Sequence, residues 1–465
     1  MNNPPKILLL FPSIFYFPQD IEKVEVKSQL LYLYTFLKSH FEVKIFDLET
    51  EIGRPNSRVN IKRFREKAKA KLSQIDFDIA GLSCWTSLSY QACIVVASLL
   101  KEINPQTITV VGGYHPSAVP EDFTFSGSPF DVVVIGEGEE ALLKICRGEV
   151  EIKENTTILS GSTGDLESFP FLDLSEVAKK KNTQGRYPFP FYLYLSRDCP
   201  FSCNFCMEQT KRKGGWRSLS PDKAVEQIQR VVGELKPYSM ALADSCFGVN
   251  QKWRKEFLSK LVKKEFDLWF SIETHPNLLD KEDLEFLSGL KVEVQFGLES
   301  GSSSMLQIMN KVGKPLKYLE YFKGISSALS QKKVMHRANL IFNHPGETHQ
   351  IVLETIDFMK KLMEKKENYL FWEYGDYTHF PGSQIDSNLS YYENTFGTKI
   401  AYPQWWKMEE DQWESSRKVL PSRDFTWEDK DFWRWRIKEI DELMKNSLSK
   451  EALKYVSERY RFDWK

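Results

Sequence analysis

Three cysteines lie close together in the run Cys199-Pro-Phe-Ser-Cys203-Asn-Phe-Cys206. Thiolates grouped in one loop can hold an iron–sulfur cluster, whose usual protein ligands are cysteines. In a [4Fe–4S] cluster, three protein ligands leave one iron open, and an open iron can bind and reduce a substrate. The alternative is zinc, which usually takes four ligands in paired spacings, and the neighbouring sequence offers no fourth Cys or His. The loop therefore predicts a catalytic iron–sulfur site.

The cysteine loop directly follows an apolar strand candidate, residues 191–195, and carries the aromatic Phe205 before its last cysteine. In these respects it resembles the signature of the radical S-adenosylmethionine (radical SAM) enzymes. The resemblance implies that Cys199, Cys203 and Cys206 are the catalytic metal ligands of a [4Fe–4S] cluster, with Phe205 beside the cofactors. It also implies that SAM binds at the open iron.

The first 150 residues alternate between apolar strand candidates and amphipathic helix candidates. The strands are predicted at residues 6–11, 42–47, 78–83, 107–111 and 131–135. Such alternation favours an α/β fold with a doubly wound, open parallel sheet. Ligands of these sheets bind beyond the carboxyl ends of the strands.

Distinctive loops follow three of these strands. They read Ser83-Cys-Trp85-Thr86, Gly112-Gly113-Tyr-His115 and Gly136-Glu137-Gly138-Glu139. Together they resemble the cobalamin-binding domain of B12-dependent radical SAM enzymes, where such loops hold the corrin ring and its nucleotide tail. The resemblance implies cofactor contacts from Ser83, Trp85, Thr86, Gly112, Gly113, His115, Gly136, Glu137, Gly138 and Glu139. The alternative is a nucleotide-binding-like fold whose loops are structural turns.

One position departs from the corrinoid domains that bind cobalt through histidine. Their Asp-x-His-x-x-Gly motif corresponds here to residues 47–52, Asp-Leu-Glu-Thr-Glu-Ile, with Glu49 in place of the histidine. A neutral imidazole is a good metal ligand, whereas Glu49 is a less suitable donor for cobalt. We therefore expect no His ligand on the lower face of cobalamin. Trp85 or Thr86 would pack beneath cobalt instead, and His115 would contact the nucleotide tail.

From residue 191 the alternation resumes, with strands predicted at 191–196, 239–244, 268–273, 292–299, 334–342 and 369–374. Six such units fit the partial (β/α)6 barrel of radical SAM enzymes, and a second open sheet is the alternative. By resemblance, polar residues on these strands would form the SAM site: Asp244 and Ser245 at the amino group, Arg337 at the carboxylate, and Glu273 in the same pocket. Glu299 and Ser300 would contact the ribose or shape the pocket. For Arg337 and Glu273 the alternative is an ion pair inside the barrel.

The predicted organisation has four parts. A cobalamin-binding, Rossmann-like domain spans residues 1–150, a linker 151–188, the radical SAM barrel 189–378, and a small, mostly helical C-terminal region 379–465. The last part is rich in tryptophan, with Trp405, Trp406, Trp413, Trp427, Trp433 and Trp435. These residues predict either the core of a helical cap or a substrate pocket, and their helical spacing favours core.

The composition of the chain indicates which partners and which cellular compartment to expect. The 465 residues include 63 basic and 64 acidic side chains, so the net charge of −1 offers no overall field for nucleic acid. No apolar run predicts a membrane span, and the first residues do not resemble a signal peptide. The remaining thiols (Cys84, Cys93, Cys146 and Cys246) are scattered and predict no disulfide framework. We therefore expect a reducing cytoplasm.

The combined resemblance implies a cobalamin-dependent radical SAM C-methyltransferase. Such an enzyme uses a 5′-deoxyadenosyl radical and methylcobalamin to methylate an unactivated carbon, here of a small or lipid-like metabolite. It also implies an electron donor such as flavodoxin or ferredoxin. The alternatives are a non-methylating rearrangement, cyclisation or ring contraction, a radical SAM barrel beside an empty N-terminal domain, and a non-catalytic corrinoid- or cluster-binding sensor.

Overall fold

The computed structural model of the chain describes residues 4–17, 27–210 and 215–460. Two parallel sheets of six strands organise these residues. The first sheet consists of β1 (Lys6–Phe11), β2 (Glu42–Asp47), β3 (Ile79–Ser83), β4 (Ile108–Gly112), β5 (Val132–Ile135) and β6 (Thr157–Ser160). The second consists of β7 (Pro190–Leu193), β8 (Ser239–Leu242), β9 (Trp269–Thr274), β10 (Val292–Glu299), β11 (Met335–Phe342) and β12 (Leu370–Asp376).

Helices connect the strands and cover the sheets. Those of the first half are α1 (Ser28–Lys38), α2 (Leu48–Ile52), α3 (Arg58–Leu72), α4 (Tyr90–Ile103), α5 (Tyr114–Ala118), α6 (Glu139–Cys146) and α7 (Ser175–Ala178). Those around the second sheet are α8 (Pro221–Leu235), α9 (Gln251–Val262), α10 (Lys281–Ser288), α11 (Ser303–Ile308), α12 (Pro315–Gln331) and α13 (His349–Met363). The C-terminal helices are α14 (Leu389–Phe396), α15 (Gln412–Ser416), α16 (Phe432–Ser447) and α17 (Lys450–Arg459).

The first sheet has the strand order β2-β1-β3-β4-β5-β6. Residues of β1 alternate between two cores, since Leu9 belongs to the cluster that contains Leu30 of α1, whereas Leu10 belongs to the cluster that contains Phe64 of α3. Both faces of the sheet are therefore covered, as the apolar strands predict. The order reverses at β1 and β3, and such a reversal opens a crevice at the carboxyl ends of the strands.

The sixth strand comes from the predicted linker. Residues Thr157–Ser160 pair in parallel with β5, and the Thr157 amide donates to the Asp131 carbonyl at 2.8 Å. The polar, turn-rich surroundings of this strand hide it in the sequence, and its alternate residues are exposed because it lies at the sheet edge. The start of the predicted linker is thus part of the first sheet.

The second sheet follows chain order, β7-β8-β9-β10-β11-β12, with every pair parallel. A cavity of about 770 Å³ is lined by side chains from five successive strands, including Tyr192, Ser271 and Gln295. The sheet therefore curves around a lumen, and the predicted partial (β/α)6 barrel is confirmed. A bulge between Gly297 and Glu299 shifts the register at the carboxyl end of β10.

Of the C-terminal tryptophans, Trp405, Trp406 and Trp433 are buried as core, whereas Trp427 and Trp435 are exposed. Trp405 and Trp406 are buried in a cluster with Leu88 of the first half of the chain. Trp433 stacks on Phe342 of the barrel, with ring centroids 4.8 Å apart. The C-terminal region therefore packs on both sheets. In the ranges that the structure describes, no helix is long and apolar enough to cross a membrane.

Candidate active site between the two sheets

The carboxyl ends of the two sheets border one shared cavity. Gly112, Gly113 and Tyr114 line it from the first sheet, and Tyr194 and Ser245 line it from the barrel. Ligand sites occur preferentially at domain interfaces and at the carboxyl ends of parallel strands. The cavity therefore combines two features that favour a large cofactor.

The cysteine loop lies beside this cavity, because Asp198 before it and Glu208 after it both line the wall. Cys203 is buried, and Cys199 and Cys206 are partly buried. Asp198 has a φ of +69°, a left-handed conformation that a non-glycine residue keeps only where its surroundings impose it. The loop is thus held in a strained backbone at the point where its first cysteine emerges.

The three thiols have different electrostatic environments. Burial raises the pKa of Cys206 to about 12, whereas hydrogen bonding with Cys246 lowers the pKa of Cys199 to about 7. Metal binding requires deprotonated thiols, so loading the site releases protons. Among the residues described, no set of three or more His, Cys, Asp or Glu side chains is arranged to hold a single metal ion. The thiolates of a [4Fe–4S] cluster bind different irons, so they need not converge on one point.

Asn204, inside the cysteine loop, ties the loop to its surroundings. Its side-chain amide donates to the Ile308 carbonyl at 2.6 Å and to the Tyr392 hydroxyl at 2.7 Å. Its side-chain oxygen lies 3.2 Å from Nε2 of His344. Burial lowers the pKa of His344 to about 3, so this ring is neutral at physiological pH. The loop is therefore fastened through one buried amide to the barrel and to α14.

The segment after α11 braces the same loop from behind. The backbone N–H of Asn204 donates to the Met309 carbonyl at 3.1 Å, and the Asn310 side chain donates to the Ser202 carbonyl at 2.8 Å. The next residue, Lys311, is buried and pairs with Glu299 at 2.9 Å. Its positive charge acts against the burial that raises the pKa of Cys203. The brace thus also places a buried cation near the cysteines.

Glu299 and Ser300, predicted at the SAM ribose, both have protein partners. Glu299 has a φ of +67° at the β10 bulge and lies against Gly297, where a Cβ atom would come within 2.5 Å of the Glu299 carboxylate. The Ser300 hydroxyl lies 2.7 Å from the Thr355 hydroxyl. These residues shape the carboxyl end of β10, and a role at the ribose stays a prediction.

Asp244 follows β8 and lines the lumen of the barrel. One carboxylate oxygen accepts hydrogen bonds from the Leu195 and Ser196 amides at 2.7 and 2.8 Å, and the other is buried with no protein partner. Burial raises the pKa of Asp244 to about 6. A buried carboxylate oxygen without a donor fits a ligand ammonium group. The neighbouring Ser245 lines the shared cavity.

Arg337 and Glu273 do not line the cavity that the two sheets share. Arg337 is the third residue of β11 and pairs with Glu373 and, at 3.6 Å, with Glu293. Its guanidinium also lies over the Tyr460 ring. Glu273 and Arg337 both line the barrel lumen, and burial raises the pKa of Glu273. An ion pair does form at Arg337, but its partners are Glu293 and Glu373 instead of Glu273.

The predicted cobalamin loops form the opposite wall. Ser83, Trp85, Gly112 and Gly113 all line the cavity. At Gly113, φ is +127° and a Cβ atom would lie 2.4 Å from the Cys84 carbonyl oxygen, so only glycine fits. At Gly112 a Cβ atom would meet nothing closer than 3.7 Å. This open, glycine-lined wall suits close contact with a bulky ligand.

Thr86 and His115 lie behind that wall. The Thr86 hydroxyl accepts from the Leu88 amide at 3.1 Å. His115 is fully buried, with Nδ1 2.8 Å from the Ser87 hydroxyl and Nε2 3.1 Å from the Asp122 carboxylate. Both ring nitrogens therefore have protein partners, and His115 positions its loop instead of offering a free ligand atom. Asp122 also accepts from the Trp406 indole at 2.6 Å, which joins the C-terminal region to this loop.

The acidic loop after β5 contacts the barrel. Arg197 pairs with Glu137 at 3.0 Å and with Glu139 at 2.5 Å. Arg217 pairs with Glu137 and, at 3.2 Å, with Asp198. Glu137 and Glu139, predicted as cofactor contacts, line the cavity together with Gly136 and Gly138. Their carboxylates also hold the two halves of the site together.

Phe205, which was predicted beside the cofactors, packs edge-on to His344, with ring centroids 5.9 Å apart, and this places its ring against the barrel.

Several residues that organise the site carry no sequence signal of their own. Asn204 sits between two cysteines and could have been noticed, whereas Arg197, Tyr114 and Glu208 gain their roles only from long-range contacts. Their partners are 58 to 94 residues away in the chain.

Known proteins support this arrangement. Residues 22–145 match the B12 binding domain family and residues 193–359 match the radical SAM superfamily. An uncharacterised methyltransferase of Pyrococcus horikoshii is 26% identical over 352 residues, 72% of each chain. An anaerobic magnesium-protoporphyrin IX monomethyl ester cyclase of Rubrivivax gelatinosus is 23% identical, over 73% of this chain and 64% of the cyclase. The fold is similar to the radical SAM methyltransferase TsrM of Kitasatospora setae, with a TM-score of 0.68, 14% identity, and coverage of 94% of this chain and 88% of TsrM.

Proposed function

Because the chain belongs to the cobalamin-binding radical SAM enzymes, we propose that it transfers a methyl group to an unactivated carbon of a small or lipid-like metabolite. The observation that carries the proposal is the shared cavity, which a glycine-lined wall borders on one side and the cysteine loop approaches on the other. A relative named as a methyltransferase supports methyl transfer.

The residues present fit both cofactors. Cys199, Cys203 and Cys206 would hold the [4Fe–4S] cluster, which supplies the electron for reductive cleavage of SAM when it is bound. The partnerless oxygen of Asp244 would accept from the SAM ammonium group. Gly112 and Gly113 would allow the corrin to approach the backbone, and cobalamin supplies the methyl-carrying metal.

The chain's own residues prepare this chemistry. Asn204 and its partners hold the cysteine loop in place, and the Arg197 ion pairs keep the two halves of the cavity together. His115, in the loop after β4, has both ring nitrogens engaged by Ser87 and Asp122, so it offers cobalt no free imidazole nitrogen. This agrees with the expectation of a cobalt without a His ligand. An electron donor such as flavodoxin or ferredoxin would complete the system.

A second candidate function is a cyclisation or rearrangement that uses the same cofactors without methyl transfer. The relative from Rubrivivax gelatinosus, named as a cyclase, favours it. The two candidates differ in their products. Methyl transfer consumes a SAM molecule as the methyl source and yields S-adenosylhomocysteine, whereas the alternative yields 5′-deoxyadenosine and methionine without S-adenosylhomocysteine.

The test is an anaerobic reconstitution with iron, sulfide and hydroxocobalamin, followed by desalting, metal and corrinoid analysis, and mass spectrometry of the SAM products. Four irons per cluster and one corrinoid per chain are expected, with both S-adenosylhomocysteine and 5′-deoxyadenosine formed. Deoxyadenosine without S-adenosylhomocysteine would favour the second candidate. Protein that retains iron but no corrinoid would overturn the cobalamin half of the proposal.

Two cysteine variants, one inside the cysteine loop and one outside it, test the cluster assignment. Cys203→Ala should lose the cluster and all SAM cleavage, whereas Cys146→Ala, at a buried thiol on α6, should retain both. SAM cleavage by the Cys203 variant would refute the cluster assignment.

A further inference from the structure

Glu208 connects the cysteine loop with the loop that follows β4. Its backbone N–H lies 3.5 Å from Sγ of Cys206, and its carboxylate accepts a hydrogen bond from the Tyr114 hydroxyl. Both Glu208 and Tyr114 line the shared cavity. One residue therefore contacts a cluster ligand through its backbone and a cobalamin-loop side chain through its carboxylate.

Tyr114 is fixed on its own side of this contact. It follows Gly113, whose backbone only glycine can adopt, and it begins α5. The Trp85 ring packs edge-on against it, with ring centroids 4.9 Å apart. Burial holds the pKa of Tyr114 well above its usual range, so the hydroxyl keeps its proton and remains the donor to Glu208.

The other links between the two halves have different anchor points. Arg197 and Arg217 hold the acidic loop after β5, and near the cysteine loop Arg217 contacts Asp198 instead of a cysteine. Tyr32 of α1 exchanges hydrogen bonds with the backbone of Tyr194 at 2.9 Å, before the cysteine loop begins. Among the hydrogen bonds described, the contact through Glu208 is the one that reaches a cluster ligand from a corrin loop.

We propose that Glu208 is a positioning residue that sets the separation between cobalt and the iron–sulfur cluster through its contacts with Cys206 and Tyr114. The inference rests on both cofactors occupying these loops, as the proposed function requires, but not on whether methyl is transferred. A hydrogen bond restricts both the distance and the angle between its two partners, which suits it to this role.

The test measures the separation of the two cofactors directly. In the reconstituted holoenzyme, reduction produces two paramagnetic centres, cob(II)alamin and the reduced cluster, whose dipolar coupling can be measured by pulsed electron paramagnetic resonance. The variants are Glu208→Ala, Glu208→Gln and Tyr114→Phe. Tyr34→Phe is the matched control, because it removes a hydroxyl that lies 3.4 Å from Ser175, away from both loops.

The distance distribution is expected to broaden or shift in Glu208→Ala and Tyr114→Phe. It should stay as in the wild type in Glu208→Gln, whose amide oxygen can still accept from Tyr114, and in Tyr34→Phe. An unchanged distribution in Tyr114→Phe, at full iron and corrinoid content, would overturn the inference. Tyr114→Phe removes a single oxygen, so it decides the matter even where Glu208→Ala fails to fold. Failure of the reconstituted wild-type protein to retain corrinoid would instead count against the proposed function.

Discussion

The side-chain nitrogen of Asn204 lies 2.7 Å from the hydroxyl oxygen of Tyr392, so the cysteine loop is joined directly to the C-terminal region. Asn204 is only 3% exposed, and no solvent is at hand to replace a lost partner. The loop that would hold the cluster is therefore sensitive to a residue that is not itself a ligand.

Asn204→Ala should lower iron retention, because the loop loses its connections to Ile308 and Tyr392. The buried partners left unsatisfied cost about 1–3 kcal/mol of unfolding free energy. Tyr392→Phe should cost about 1 kcal/mol, since it removes one hydrogen bond. Iron content after desalting, together with denaturant unfolding, checks both. Wild-type iron content in Asn204→Ala would contradict the bracing role.

Gly112→Leu should abolish corrinoid binding while leaving the fold intact. At this position a Cβ atom meets only ordinary contacts, but the larger side chain would extend into the cavity that Gly112 lines. Gly113→Ala should instead destabilise the protein, because its Cβ atom would meet the Cys84 carbonyl at 2.4 Å and its φ is +127°. Corrinoid absorbance after desalting and the unfolding midpoint separate the two effects.

The control for Gly112→Leu is Gly233→Leu on α8, where an added Cβ atom meets nothing within 4 Å. It should bind corrinoid normally. Full corrinoid binding by Gly112→Leu would show that the cofactor does not use this wall.

Arg197→Met should destabilise the protein by about 1–3 kcal/mol, between the values for exposed and fully buried ion pairs. The side chain of Arg197 is only 20% exposed, and its loss removes one arginine from Glu137, which keeps Arg217, and the arginine paired with Glu139. Lys179→Met breaks an exposed pair with Glu176 and should cost less than about 1 kcal/mol. Equal unfolding free energies for the two variants would show that the Arg197 network contributes little.

Asp244→Asn should become more stabilising as the pH rises. The folded-state pKa of Asp244 is raised to about 6 from its usual 3.8, so the stability it confers is full below pH 4 and falls as the pH rises through 6. An amide has no such loss, and its oxygen can still accept from Leu195 and Ser196. The advantage of the variant should grow by about 1 kcal/mol between pH 5 and pH 7.

Urea unfolding at the two pH values measures this difference, and a constant difference would contradict the raised pKa. The same variant lacks the carboxylate charge, so SAM binding measured by equilibrium dialysis should weaken if Asp244 holds the ammonium group. Unchanged SAM affinity would remove Asp244 from the proposed binding set.

The sequence predicted the strands well because buried parallel strands are continuous apolar runs. β1, β2 and β10 have the predicted bounds, whereas β6 was missed because an edge strand with exposed alternate residues carries little apolar signal. The cysteine loop was likewise visible from local spacing alone.

Side-chain partners were harder to predict because they depend on distant residues. Arg337 was predicted to bind the carboxylate of SAM. Its pairing with Glu293 and Glu373 from neighbouring strands was not predicted. Glu137 and Glu139 line the cavity as a cofactor loop would, but their pairing with arginines 58 to 80 residues further along the chain was not predicted. Ion pairing across domains leaves no periodic trace in a sequence.

The contact between Trp406 and Asp122 has a consequence for how the protein could be divided. Since the C-terminal region packs on the first sheet, the two halves are connected both by the peptide chain through residues 161–188 and by this return contact. Lys180 in that stretch is exposed, so a protease could cut there and still leave the fragments associated. A cut in this stretch would leave the hydrogen bond between Trp406 and Asp122 in place, so the two pieces would remain in contact without a continuous backbone.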